Sequence, residues 1–423
     1  MTEIPEPKDK LDAATEVVVS GPEDDAERWR QVDWRRAEAD VRRLRQRIFT
    51  ASKAGDLPRV RRVQKLMLRS RANTLVSVRR VTERNAGRLT AGVDGAVVLT
   101  PEAKMQLVDR IQHQAEPFKA MPVRRVYIPK QGSSAKRRPL GIPVIVDRCH
   151  QARVVNALEP EWEARFEPRS YGFRPGRGCQ DAIQAVHATA SGKSARRLWA
   201  LDADLASAFD LIAHDHIQSM IGTFPARGMI RQWLKAGVVE QGRLHRTEDG
   251  VPQGGVVSPL LLNVALHGME QAAGVRYYQT GGNAGNAVMG SPVLIRYADD
   301  CVPRMLKEES SRSEVRRMQC CMRDEGAERL AGSVALRGRP AGGGRKPPRG
   351  ASVKSRGAER RGDGALSARQ VWITKASESE PPLKCRKRIG DIRNRGRVVA
   401  PGAAWREPAD WPGGCPAWMV ARA

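Results

Sequence analysis

Two short apolar runs in this chain end in aspartate, and nothing else in the sequence constrains the fold as much. One is "RLWALDADL" (197–205) and the other is "VLIRYADD" (293–300). Runs of this length and character read as strands buried in a sheet. Strand alternation places Asp202 and Asp204 on one face. Asp299 and Asp300, side by side at a strand end, repel each other unless a cation lies between them. A carboxylate beside a buried strand is costly unless it is paired or ligates a metal. Any one of these aspartates could simply cap a turn or a helix. If the two strands are neighbours in one sheet, three carboxylates converge on a small volume. A ligand set made only of oxygens suits Mg²⁺, which keeps several waters and shares itself with substrate phosphates. Two such ions about 4 Å apart clamp the attacking and leaving oxygens of a phosphoryl transfer.

The charge balance agrees with a phosphate-bearing substrate. The chain has 423 residues, with 73 Lys and Arg against 47 Asp and Glu, a net charge of +26. That excess points to a polyanionic partner, nucleic acid first; a basic disordered or ribosome-associated protein is the competing reading. The seven cysteines (Cys149, Cys179, Cys301, Cys320, Cys321, Cys385 and Cys415) form no C-x-x-C pair, which argues against a zinc ribbon or a disulfide framework. The expected compartment is reducing and cytoplasmic. The N-terminus lacks the apolar core of a signal peptide, and no apolar run is long enough to span a bilayer, so no membrane partner is expected.

Residues 1–28 are acidic and aperiodic and read as a flexible tail. Trp34, Ala37, Val41, Leu44 and Ile48 then recur at helical spacing, with Arg35, Arg36, Arg42, Arg43 and Arg45 mostly between them. A second apolar stripe runs through Val60, Val63, Met67, Leu75 and Val78. With few acids nearby to pair with so many arginines, these helices are expected to face phosphate. Thr100 is the predicted cap of a helix that starts at Pro101. "VRRVYIPK" alternates as a strand, "QGSSAKR" reads as a flexible connection, and "RPLGIP" as a rigid segment bracketed by proline. Helices are expected over 144–166 and 180–190, with "SYGFRPGRG" a loop between them. The stretch through Ala208, Phe209, Ile212, Ile217 and Met220 reads as a helix packing back on the sheet, with His214 and His216 on its surface. "GVPQGGVVSPLLLNVALHGME" (250–270) is a Gly-rich loop leading into an apolar helix. Elements alternate without a regular βαβ rhythm, so the expected class is α+β.

"ALDADLASAFD", "GVPQGGVVSPLLLNVAL" and "RYADD", in that order, follow "RPLGIPVIVDRCHQARVVNALEPEWEARFEPRSYGFRPGRGCQDAI". This succession resembles the reverse transcriptases encoded by bacterial group II introns, and "VRRVTERNAGRLTAGVDG" resembles their N-terminal extension. The likeness spans residues 30 to 302. It implies a right-hand polymerase, with a helical N-terminal extension over 29–120, fingers over 121–197 and a palm over 198–303. The implied function is an RNA-directed DNA polymerase with a possible role in intron splicing (maturase); its implied partners are intron RNA as template, a DNA primer and dNTP. Asp204, Asp299 and Asp300 would hold two Mg²⁺ ions. The choice of Asp204 over Asp202 rests on the family pattern, in which an aromatic residue follows by five positions, here Phe209. That ring would exclude a ribose 2′-hydroxyl. Gln253 falls in the nucleotide-pocket loop, and Arg138 and Lys130 in the fingers region that meets the triphosphate. Tyr171, Phe173 and Arg174 would line the template path, with Arg42, Arg43 and Arg45 on the RNA-facing helix. A non-catalytic splicing factor that binds intron RNA and an inactive remnant are the alternatives.

The chain departs from the pattern in two places. Ala206, Ser207 and Leu211 replace residues usual in the family, which bears on template handling. After Val302, Pro303 and Arg304 are expected to end the hairpin's return strand, because proline removes a ladder donor. From residue 306 onward the chain has 26 Lys and Arg against 13 Asp and Glu, and it is rich in Gly and Pro. Residues 304–423 are expected to be an atypical, largely disordered basic tail with no thumb, of the kind a frame change or gene decay near 303 would leave.

Overall fold

The computed structural model describes residues 22–113, 117–130, 133–190, 199–201, 203–205, 208–305, 334–336 and 373–375. The expected tail over 1–28 lies outside them up to residue 21, as do Asp202, Ala206, Ser207 and all but two short pieces of the stretch after 305.

The N-terminal third is helical. α1 (Pro22–Arg30), α2 (Trp34–Lys53), α3 (Leu57–Arg69), α4 (Arg71–Arg79) and α5 (Pro101–Gln112) follow one another, with a π-turn at Arg80–Arg84 and a short 3₁₀ turn at Ala86–Leu89. Each of four starts is fixed by a side-chain oxygen that accepts a backbone N–H three residues on: Asp33 from Arg36, Asp56 from Arg59, Ser70 from Asn73, and Thr100 from Ala103. The Ser70 cap corrects the sequence reading. The stripe from Val60 to Val78 is two helices, because Ser70 turns extended and starts a new one.

α6 (Ile145–Glu163) is the axis of the molecule, with fifteen of its nineteen residues buried. Its first half, with Ile145, Cys149 and Ala152, packs against Trp29, Val78, Met105 and Val108 of the N-terminal helices. Its second half, with Val154, Leu158 and Trp162, joins the larger core that includes Ile48, Met67, Ile217, Leu262 and Leu294.

One sheet has the order β2-β1-β5-β6, from β1 (Val123–Lys130), β2 (Ser133–Ile142), β5 (Val238–Glu240) and β6 (Arg243–His245). Here the strand β2 takes in the described part of the expected flexible connection, from Ser133, and the Pro-bracketed segment as far as Ile142. Paired with β1 at Ser133 and from Arg137 to Ile142, "SSAKRRPLGI" is held as a strand by the ladder whatever its own propensity. The β5–β6 hairpin was not legible in the sequence; its three-residue strands are too short for an alternation signal.

The second sheet contains β3 (Trp199–Leu201), β4 (Ala203–Leu205), β7 (Val293–Tyr297) and β8 (Asp300–Met305), with β9 (Val334–Leu336) and β10 (Ile373–Lys375) on its far side. β8 lies between β7 and the β3–β4 segment, antiparallel to both. The return strand therefore runs to Met305, with Pro303 opposite Leu294 inside it. One proline removes one donor, and in an antiparallel ladder its neighbours carry the pairing. The two short strands β9 and β10 also fall in a stretch where no strand spacing was read.

Helices α7 (Cys179–Ala190), α8 (Ala208–Leu211), α9 (His214–Ile221), α10 (Arg227–Lys235), α11 (Ser258–Ala265) and α12 (Met269–Ala272) complete the described part. The single helix expected after Ala208 is two, α8 and α9. His214 and His216 are not on the surface: both are buried, each with Nε2 2.8–2.9 Å from a carbonyl, of Gly250 and Ala265 respectively. Bonds to backbone let an imidazole occupy a core position without a metal or a charge partner. No described helix is long and apolar enough to cross a membrane.

Candidate active site

The two carboxylate-bearing strands are neighbours. Asp204 of β4 stands directly opposite Asp300 of β8, and Leu205 N donates to the Asp299 carbonyl at 3.2 Å. Between β7 and β8 the chain turns through Ala298, whose φ is +56°, a left-handed conformation uncommon for a residue with a Cβ. Asp299 is half-buried and Asp300 exposed at this turn. The Asp204 side chain and the whole of Asp202 lie outside the described residues. Among the side chains that are described, no three His, Cys, Asp or Glu form a metal-holding group. The register, though, brings hard oxygen donors from both strands to one end of the sheet, the donor chemistry that a magnesium ion takes.

The turn is built on a loop from elsewhere in the chain. A Cβ on Gly172 would lie 2.3 Å from Ala298 N, so only glycine lets the two backbones meet. Ser170 bridges to Arg296, with Tyr171 N donating to Arg296 O at 2.9 Å and Arg296 N to Arg169 O at 3.0 Å. Arg296 is 2% exposed in the middle of β7. Its guanidinium donates to Ser170 Oγ at 2.7 Å, Asn263 Oδ1 at 2.9 Å and the Ala298 carbonyl at 3.2 Å. Asn263 in turn donates to Gly172 O at 2.8 Å. This buried group ties β7, α11 and the "SYGF" loop to the turn that carries Asp299. Burial pulls its pKa below the ordinary arginine value, and the nearby Glu167 carboxylate opposes the shift. Burial alone would raise Glu167. The His267 ring, with Nδ1 3.2 Å from Oε2, the Arg296 charge and the Gly268 N–H outweigh that and hold it down at about 2.

The Gly-rich loop reaches the same place. Val251 N donates to the Phe209 carbonyl at 2.6 Å, and Gly141 N of β2 donates to the Gln253 carbonyl at 2.6 Å. Gly254 has φ +114°, and a Cβ there would meet Gly141 O at 2.8 Å. From α6, Gln151 Oε1 accepts Val256 N at 2.7 Å, and a Cβ on Gly255 would lie 3.1 Å from the same oxygen. The Gly-rich loop thus carries Gln253 and holds the backbone of Phe209 on α8, and Arg138 sits on β2 three positions before Gly141 and opposite Ile128. The Lys130 backbone pairs with Ser133, while its side chain lies outside the described residues.

Other expected contacts come out differently. Arg174 is buried, with its guanidinium bound to both Glu163 oxygens at 2.6 and 2.9 Å and to the Glu167 and Ser170 carbonyls. It braces the loop, its guanidinium taken up by these partners. Arg45 bonds Glu159 at 2.5 Å and Asn156, crosslinking α2 to α6. Acids from other elements were invisible to a reading along α2 alone. Arg42 and Arg43 are exposed, the latter paired with Asp40. Tyr171 is half-buried with the Arg177 guanidinium 5.7 Å from its ring, and Phe173 packs against Phe209. Sequence reasoning missed Arg296, Asn263, Gln151 and Gly172. An arginine inside the apolar run "VLIRY" was the signal for the first of them.

Residues 29–111 match the N-terminal domain of reverse transcriptase, and residues 128–328 match reverse transcriptase (RNA-dependent DNA polymerase). The second match runs past Pro303, beyond the limit read from the motifs. Protein YkfC of Escherichia coli is 37% identical over 226 residues, 51% of this chain and 58% of that one. The group II intron-encoded protein LtrA of Lactococcus lactis is 35% identical over 193 residues, 44% of this chain and 31% of that one. An uncharacterized 91 kDa protein in the cob intron of Schizosaccharomyces pombe is 30% identical over 197 residues, 44% of this chain and 23% of that one. The chain thus aligns with less than two thirds of each of these relatives. Motif order, the pairing of the aspartate strands and the two adjoining domain matches together have one meaning: the chain belongs to the reverse transcriptase (RNA-dependent DNA polymerase) family.

Proposed function

We propose that this protein is a group II intron reverse transcriptase, an RNA-directed DNA polymerase that extends a DNA primer on intron RNA using dNTP. The observation that carries this reading is the register of Asp204 against Asp300, with Asp299 at the adjoining turn. Residues directly opposite in an antiparallel pair have their Cβ atoms about 4.5–5.5 Å apart on one face. Three carboxylates so placed are a liability without cations. Two Mg²⁺ held by Asp204, Asp299 and Asp300 would neutralise charge on the α-phosphate and the leaving pyrophosphate.

The protein's own part is positioning and charge complementarity. Residues 29–120 form the N-terminal extension, 121–197 the fingers and 198–303 the palm. Arg138, with Lys130, meets the triphosphate from β2. Gln253, held through its carbonyl by Gly141, lines the nucleotide pocket, and Phe209 faces the sugar and excludes a 2′-hydroxyl. Tyr171 borders the template side. The test is primer extension on an RNA template with Mg²⁺. Incorporation by the intact protein that disappears in Asp299→Ala supports the reading; none by the intact protein overturns it.

A second activity, RNA binding in support of splicing, has its own support in the exposed Arg35, Arg36, Arg42, Arg43 and Arg47 on one helix. Filter binding to intron RNA distinguishes it: binding unaffected by Asp299→Ala but lost on neutralising these arginines is the expected result.

A further inference from the structure

Phe173 has φ +59°, a left-handed backbone that a bulky residue adopts only when its surroundings impose it. The residues just before it are held by polar anchors. Tyr171 N is held by Arg296 O, Gly172 O by Asn263 Nδ2 at 2.8 Å, and Ser170 O by Arg174 Nη1 at 2.7 Å. Each anchor stops short of Phe173, whose own side chain makes an edge contact with Phe209, ring centroids 6.2 Å apart and planes at 75°. The loop spends backbone strain to set that one ring against the other.

Phe209 needs the support. It lies on α8, a helix of four residues, too short to be rigid by itself. Its backbone is fixed on one side by Val251 N, while the ring is half-buried at the edge of the core, with Phe173 packed beside it. Rejecting one added hydroxyl by contact works only if the rejecting group cannot swing aside, since an apolar pocket by itself discriminates weakly against such an addition.

We infer that Phe173 is a specificity-determining positioning residue, which backs the Phe209 ring and so sets the preference for deoxynucleotides over ribonucleotides. This rests on the proposed polymerase function and on Phe209 meeting the sugar. A purely structural role for Phe173 predicts that both nucleotides are incorporated more slowly and in the same proportion. A backing role predicts that the proportion itself changes.

The experiment is single-nucleotide incorporation by the full chain, with kcat/KM measured for a dNTP and for the matching rNTP. Phe173→Ala and Phe173→Gly are compared with the intact protein, and Phe173→Tyr serves as the conservative variant. Glycine accepts the left-handed conformation freely, so Phe173→Gly removes the ring without leaving a strained backbone and is the deciding variant. The expected result is a dNTP-to-rNTP preference about tenfold lower in Phe173→Gly and Phe173→Ala, retained in Phe173→Tyr. An unchanged preference in Phe173→Gly, with incorporation by the intact protein, overturns this inference alone. No incorporation by the intact protein overturns the polymerase reading and this inference with it.

Discussion

At Gly172 the smallest possible side chain is already too large, because the Ala298 nitrogen is 2.3 Å from where a Cβ would be. The obstacle is backbone, which cannot rotate away as a side-chain tip can. Gly172→Ala is therefore expected to displace the Asp299 turn and abolish incorporation, with melting lowered by about 2–4 kcal/mol of stability; thermal unfolding and primer extension check both. Arg296 raises the opposite question, why a charge should be buried at all. A desolvated guanidinium is costly, and its planar fork is what serves Ser170, Asn263 and the Ala298 carbonyl together. Lysine keeps the charge but is a point donor. Arg296→Lys is expected to lose about 1–3 kcal/mol in urea unfolding and at least about tenfold in incorporation. Full activity in that variant would show the turn to be set by Gly172 and the ladder alone. Both residues were present in quoted motifs, and an arginine inside an apolar run was a signal for Arg296, yet neither motif showed what its residue touches. A glycine's close neighbour and a charge's buried partners belong to distant parts of the chain, and periodicity along one strand cannot reveal them.

Among the elements, those that carry their own signals were legible. α2, α5 and α7 each have helical apolar spacing, α6 is buried almost all round, and the Thr100 cap at the start of α5 was read directly. β2 and the β5–β6 hairpin were not, because their backbones are satisfied by partners and their sequences have no preference of their own. The Ser70 break between α3 and α4 was obscured by an apolar stripe that continues through both. Junctions between elements are where charge enters the fold. Glu167 joins the stretch after α6 to the start of α12 through Gly268 N at 2.6 Å, and its charge lies close to Arg296 of β7. Its pKa, held at about 2, is below the ordinary value, so folding favours the ionised form. Its contribution is therefore whole above about pH 4.3 and is lost as pH falls from there towards 2. Glu167→Gln is expected to cost about 1–3 kcal/mol near neutral pH, and its stability should converge with that of the intact protein as pH drops below about 4. Urea unfolding across that range tests it; a gap that widened in acid would reverse the sign and refute the assignment.

For the whole molecule the dominant quantity is charge, and sequence counted it correctly while misplacing some of its use. Half of the +26 surplus belongs to the stretch from 306 onward, where 26 basic residues face 13 acidic ones. The break read at residue 303 is a break in apolar spacing; the reverse transcriptase match continues to 328, because apolar periodicity and family likeness are different properties of a chain. Within the helical N-terminal block, many arginines that were expected to face phosphate are committed to acids: Arg61 to Glu161, Arg71 to Asp109, Arg79 and Arg84 to Glu38. These pairs hold helices together and cannot also release counterions from RNA. The exposed Arg35, Arg36 and Arg47 on α2 are different, since they project from the outer face with no contribution to the core. If that face binds RNA, each phosphate it neutralises adds to the slope of log K against log salt, about 0.7 per contact on a single strand and about 0.9 on a duplex. Replacing the three with glutamine is expected to leave melting unchanged within about 0.5 kcal/mol. The same change should lower the salt slope of intron RNA binding by about 2 to 3. A weaker affinity with an unaltered slope would place the RNA elsewhere on the protein and leave α2 as a solvated helix.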